Sequence, residues 1–155
     1  AGLSDAGLAR KIDAIHRAID CNQPDAGDAL DVLAKLGGFD IAGMTGMFLG
    51  GALYRVPVLI DGFISSIAAL IAARLCPNAV CAMLASHCSE EPAAQKVLQK
   101  LGVRAVIDAD LKLGEGTGAV CMMPLLDVAL SVYHGSAAFS ETGVAQYTVQ
   151  EGDRR

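Results

Sequence analysis

The sequence predicts an α/β fold in which a parallel sheet is covered by helices on both faces. Three observations carry this. Short apolar runs recur along the chain, they lack strict polar alternation, and segments of helical period fall between them. The runs are Pro57–Ile60, Ala79–Ala85 and Arg104–Ile107, read as three strands. With 155 residues, 53% of them hydrophobic and 19% charged, the chain has enough apolar material for one real core.

Each element has its own local reason. Ser4 is placed to cap a helix running to about Asp20, whose Leu8, Ile12, Ile15 and Ile19 fall on one face. Residues 22–27 read as a loop. Ala29 to Leu36 reads as a short helix stopped by Gly37-Gly38. A helix from Asp40 to Tyr54 carries Gly43, Gly46, Gly50 and Gly51, at a cost of about 1 kcal/mol each against alanine. That cost implies that another element packs very close to it. The apolar stretch Val56–Leu75 is long enough for a membrane span, but Asp61-Gly62 interrupts it. A strand, a turn and a helix at Phe63–Leu75 fit it better. A further helix is expected at Pro92–Leu101, with Pro92 at its start and Gly102 at its end. The last long helix runs from Gly116 to about His134 and is kinked near Pro124. Residues 1–143 therefore form the folded domain, and 144–155 a loose polar tail.

Composition excludes several classes of function. The net charge is −5 and Lys and Arg are scattered, so no nucleic-acid partner is expected. Five cysteines, an odd number without a CxxC pair, indicate free thiols and a cytoplasmic setting. Cys76, Cys81, His87 and Cys88 match no ordinary zinc spacing, so no metal is expected. His87 supports a strand end, and His16 and His134 belong on the surface.

Ligands of an open parallel sheet bind beyond the carboxyl ends of the strands. Three polar clusters follow the three strands there: Asp61-Gly62, then Ser86 to Glu91, then Gly114-Glu115-Gly116-Thr117-Gly118. In the third, three glycines surround one glutamate at a loop-to-helix junction. Glycines permit close approach of a ligand, free N–H groups at the helix start favour an anion, and Glu115 is a candidate base. The plainer alternative is a tight turn in which Glu115 only complements the helix N-terminus.

The run LGEGTGA at Leu113–Ala119, with Pro124 soon after, resembles the signature loop of the nicotinate-nucleotide:dimethylbenzimidazole phosphoribosyltransferases. LARKIDAI at Leu8–Ile15, LGGFDIAGMTG at Leu36–Gly46, PVLIDGFISS at Pro57–Ser66 and ASHCSEEP at Ala85–Pro92 resemble the family in the same order. The resemblance runs from about Leu8 to Val144. It implies a Rossmann-like sheet and the C-terminal portion of a larger two-domain enzyme. The family's members are longer and carry a glycine-rich acidic segment ahead of this region.

The resemblance also implies a reaction. The 5-phosphoribosyl group passes from nicotinate mononucleotide to 5,6-dimethylbenzimidazole, giving alpha-ribazole 5′-phosphate for the lower ligand of cobalamin, with no cofactor. It makes Glu115 the catalytic base. It places Lys11 at the substrate phosphate, and Asp61, Ser89, Leu113, Gly114 and Gly116 around the substrates. From the residues alone, Lys11 reads as a solvated lysine on an amphipathic helix. Asp61 either binds ribose hydroxyls or orients its Gly62 turn. Ser89 either meets a substrate or caps the helix near Pro92. The family further implies a homodimer, joined also by the portion that precedes this region. The rival reading is a non-catalytic or incomplete subunit that binds a nucleotide or docks to a catalytic partner.

Overall fold

A computed structural model describes residues 4–145 and residue 148. It divides into two compact units, Ala1–Met122 and Met123–Arg155. Of the tail expected at 144–155, all but residues 144, 145 and 148 lies outside the described residues.

In the first unit, helix α1 spans Asp5–Asn22 and starts where the Ser4 side chain accepts the Gly7 N–H. Asp28 caps α2 (Ala29–Leu36) by accepting from Leu30 and Asp31, and Arg74 donates to the Ala26 carbonyl at 2.8 Å to hold the preceding loop. Helix α3 covers Phe39–Tyr54, strand β1 Val58–Ile60 and helix α4 Phe63–Leu75. The long apolar stretch is thus a strand, a turn and a core helix. Strand β2 (Met83–Ala85) lies parallel to β1 in the register Val58↔Met83, Leu59↔Leu84 and Ile60↔Ala85. Helix α5 (Ala94–Leu101) packs on α4 and closes at Gly102, in left-handed backbone at φ +69°.

The core is built on the small face of α4. Ala68, Ala69 and Ala72 are fully buried, which lets α3, the sheet and α5 approach closely. Phe48, Ile60, Met83, Val97, Leu98 and Leu101 fill the space around them. Thr45, also buried, donates its hydroxyl to Ile41 and Ala68 carbonyls, so no polar atom is stranded there.

Four expectations need correction. The run Ala79–Ala85 is a strand only from Met83; Pro77–Ala82 winds into a 3-10 turn, begun by Pro77. A short apolar run does not distinguish the two. The third strand contracts to a single parallel bridge, His87↔Ile107, so the sheet has two strands among the described residues. Helix α5 begins at Ala94 rather than Pro92. Of the α3 glycines, only Gly51 meets a close neighbour, the Val58 side chain and the Val56 carbonyl; Gly43, Gly46 and Gly50 face open space. The apolar stripe of α1 is present, but Leu8, Ile12, Ile15 and Ile19 remain about half exposed.

Helix α6 (Thr117–Gly135) contains Pro124 and begins in the first unit. Among the described residues it alone is long and apolar enough to cross a membrane, by length and composition. In the second unit the short helix α7 (Phe139–Thr142) starts where Glu141 accepts the Ala138 N–H.

Candidate active site

Parallel pairing brings the carboxyl ends of β1 and β2 to one edge. Asp61-Gly62 leaves β1 there, and Ser86 to Glu91 leaves β2. The third segment joins them because Ile107 donates its N–H to the Ser86 carbonyl at 2.8 Å. The chain then runs on through Lys112 to Glu115. The three clusters enclose a cavity of about 370 Å³, lined by Asp61, Gly62, Ser89, Glu91 and residues 112–115. Its volume falls in the roughly 300–1,000 Å³ range of small-molecule sites.

The glutamate sits on an unusual backbone. Gly114, Glu115 and Gly116 are all left-handed, with φ of +76°, +57° and +76°. Glycine adopts this region without a Cβ clash. Glu115 does not, at a cost of about 1–2 kcal/mol. The turn ends as the Thr117 N–H donates to the Gly114 carbonyl at 2.9 Å and α6 begins.

Asp61 meets that turn from β1. One of its carboxylate oxygens accepts the Gly116 N–H and the other the Ala119 N–H, each at 3.1 Å. Two amides that the sequence left open for an anion are therefore occupied by a carboxylate of the protein itself.

Beneath the turn lies a buried polar pair. Ser86 is fully buried and donates its hydroxyl to the Ile60 carbonyl at 2.7 Å. Its oxygen also lies 3.1 Å from His87 Nδ1, within hydrogen-bond distance. Gly118 rests directly on this imidazole, with no room for a side chain. His87 thus supports the strand end.

Ser89 is buried and donates to the Glu91 carboxylate, which holds that carboxyl below its ordinary range. It caps no helix: Ala93 precedes α5, without a side-chain bond. Lys112, which lines the cavity, pairs with Glu90 at 2.7 Å, and this partner holds the ammonium above its ordinary range. Leu113 and Glu115 are exposed at the rim. Gly116 stands behind the lining, and Lys11 lies exposed on α1, away from the residues that line the cavity. His16 and His134 are exposed. Among the described residues, no three His, Cys, Asp or Glu side chains gather as a metal site.

Sequence reasoning missed Met44, Phe63, Ile64, Ser65 and Lys112 as lining residues, whereas Glu91 belongs to the second polar cluster it placed at this edge. Lys112 had a signal, a cation two positions before the first glycine of the loop. Met44 had none, because its place depends on how α3 lies against the sheet edge.

A phosphoribosyltransferase family model matches residues 1–144. The nicotinate-nucleotide–dimethylbenzimidazole phosphoribosyltransferase of Acetivibrio thermocellus is 47% identical over 150 residues, which are 97% of this chain and 43% of that protein. Its counterpart from Chloroflexus aggregans is 51% identical over 145 residues, 94% of this chain and 41% of that protein. The crystal structure of CobT from Thermus thermophilus superposes with a TM-score of 0.82 at 38% identity, covering 94% of this chain and 43% of that one. The chain spans a little over two fifths of the length of the relatives it matches. It belongs to the nicotinate-nucleotide–dimethylbenzimidazole phosphoribosyltransferase family.

Proposed function

We propose that this chain carries the base-bearing part of an enzyme that moves the 5-phosphoribosyl group from nicotinate mononucleotide to 5,6-dimethylbenzimidazole. The observation that carries the reading is Glu115, held on a left-handed turn at the wall of the cavity beyond the strands' carboxyl ends. One ring nitrogen of the acceptor bonds to C1′ of the ribose as the bond from C1′ to nicotinate breaks. Nicotinate leaves with that electron pair. The other ring nitrogen gives its proton to Glu115, so positive charge does not remain on the new base. The product is alpha-ribazole 5′-phosphate.

The lining fits this division of labour. Leu113 and Met44 offer apolar surface to a flat ring, while Ser89 and Asp61 stand on the polar side. Lys112, in the lining, supplies a cation for the phosphate, alongside the role that family resemblance gives Lys11. The remaining assignments belong to the same reading: Gly114 and Gly116 shape the turn, no cofactor or metal takes part, and the enzyme is a cytoplasmic homodimer without a membrane partner. The half-exposed stripe on α1 favours a further protein surface against this unit.

The test is release of nicotinate from nicotinate mononucleotide and 5,6-dimethylbenzimidazole, followed by chromatography. The 155-residue chain, its Glu115→Gln variant and a full-length relative run side by side. Loss of a general base predicts a drop of about 10²–10⁴-fold in the variant. Full activity in Glu115→Gln would refute the assignment. Release by the relative alone would make the chain an incomplete subunit.

A further inference from the structure

We propose that Asp61 is a positioning residue for this reaction: its carboxylate, shared between the N–H groups of Gly116 and Ala119, holds the turn that sets Glu115 at the cavity wall. The inference rests on the reading of Glu115 as the base, and it gives Asp61 a task other than meeting ribose.

The first argument is strain. Three successive residues in left-handed backbone, one of them not glycine, persist only where their surroundings over-determine them. Within the turn, the Thr117 to Gly114 bond is the local restraint. Asp61 supplies a restraint from 55 and 58 residues away. One of its bonds goes to the last residue of the turn and the other to the first winding of α6. The carboxylate therefore ties the turn to the helix, and both to β1.

The second argument is the rigidity of the anchor. Asp61 directly follows Ile60, which is buried and paired in the sheet. The Ile60 carbonyl accepts both the N–H and the hydroxyl of Ser86, and the Asp61 carbonyl takes a second contact from that hydroxyl at 3.2 Å. From the other side, the His87 ring backs Gly118. The start of α6 is thus pinned between a strand end and a buried imidazole. A base displaced by about 1 Å costs on the order of a hundredfold in rate, so such pinning has kinetic consequences.

Asparagine at 61 keeps one acceptor, but its amide group meets the second N–H donor to donor. Alanine removes both bonds. The experiment compares Asp61→Asn and Asp61→Ala with the unsubstituted 155-residue chain. Amide hydrogen exchange at Gly116 and Ala119 is read by NMR, with Met122 further along α6 as the internal reference. Protection at both amides is expected to fall by roughly tenfold or more in Asp61→Ala, and by less in Asp61→Asn, as befits bonds to a charged acceptor. In the nicotinate-release assay kcat is expected to fall about a hundredfold, while calorimetric affinity for nicotinate mononucleotide stays within about threefold. Unchanged protection at Gly116 and Ala119 in a folded variant overturns the proposal. So does a loss of mononucleotide affinity that accounts for the whole kinetic defect, since that marks a direct ribose contact. If the unsubstituted chain releases no nicotinate, the exchange result alone decides the clamp: lost protection upholds it while the reaction reading fails.

Discussion

Replacing Gly118 with alanine puts a methyl group where the His87 imidazole lies. A Cβ built on Gly118 falls well inside contact distance of the ring's Nδ1 and Cε1, and 2.9 Å from Ser86 Oγ. Both neighbours are buried, His87 at 4% exposure and Ser86 at 0%. The ring has no open space to enter, so it must turn or the helix start must lift. Overpacking of this kind costs about 1–3 kcal/mol. Turning the ring also breaks its bond to Ser86 and strands a buried polar group, for about 1–3 kcal/mol more. Alanine returns at most about 1 kcal/mol as a better helix former. The net expectation is a loss of about 1–5 kcal/mol, measured by urea denaturation. The mechanism has its own signature: in a double-mutant cycle with His87→Ala, the two changes should couple by at least about 1 kcal/mol, because removing the ring makes room for the methyl group. A Gly118→Ala protein within about 0.5 kcal/mol of the parent, or strict additivity with His87→Ala, would refute the packing argument.

The other glycines give the opposite sign. Gly43→Ala and Gly46→Ala in α3 meet nothing within 4 Å and should each stabilise the chain by about 0.5–1 kcal/mol, read as a raised thermal midpoint. Gly51→Ala in the same helix should destabilise by about 1–3 kcal/mol, because its methyl would meet the Val58 side chain and the Val56 carbonyl. Asp31 gives a pH dependence. The Asp25 N–H at 2.8 Å and the neighbouring Lys35 hold its carboxyl below the ordinary value of 3.8. Since the folded state binds that proton less readily, the contribution is complete well above 3.8 and is lost as pH falls below it through the folded value. Thermal midpoints at about pH 6 and near pH 3 should therefore differ less in Asp31→Asn than in the parent, and equal differences would count against the pairing.

What was legible in the sequence was local. Ser4, the Gly37-Gly38 stop and Gly102 mark helix ends through bonds or backbone angles only a few residues apart, and the helices fall within about two residues of where these signals put them. The edge cavity was legible too, because alternation of strand and helix fixes where the polar clusters must meet. What failed was the extent of pairing. Ala79–Ala82 is apolar enough for a strand, yet Pro77 turns the chain into a 3-10 winding before β2 begins. Arg104–Ile107 has strand composition but makes one bridge, since pairing is a property of the partner as much as of the run. The α3 glycines misled for a related reason. Sequence counts the cost of a glycine, whereas only the placement of β1 shows that Gly51 alone has a neighbour that needs it.

Asp61 carries the same lesson into the chemistry. From sequence, the start of α6 was a set of open amides suited to an anion, and Asp61 was a polar residue after a strand. The structure makes these one feature: the anion at the helix start is the carboxylate of Asp61. Two consequences follow for any phosphate brought to the cavity. It meets a helix start already bearing a negative charge, so like-charge repulsion disfavours docking on those two amides. A cation at the rim becomes the better partner, and Lys112 is placed there, 2.7 Å from Glu90 in a pair exposed enough to exchange at little cost. On the proposed reading of Glu115, the glycine loop shapes and holds that carboxylate rather than cradling a phosphate, and its three left-handed residues are the backbone cost of presenting one carboxylate while another is locked behind it.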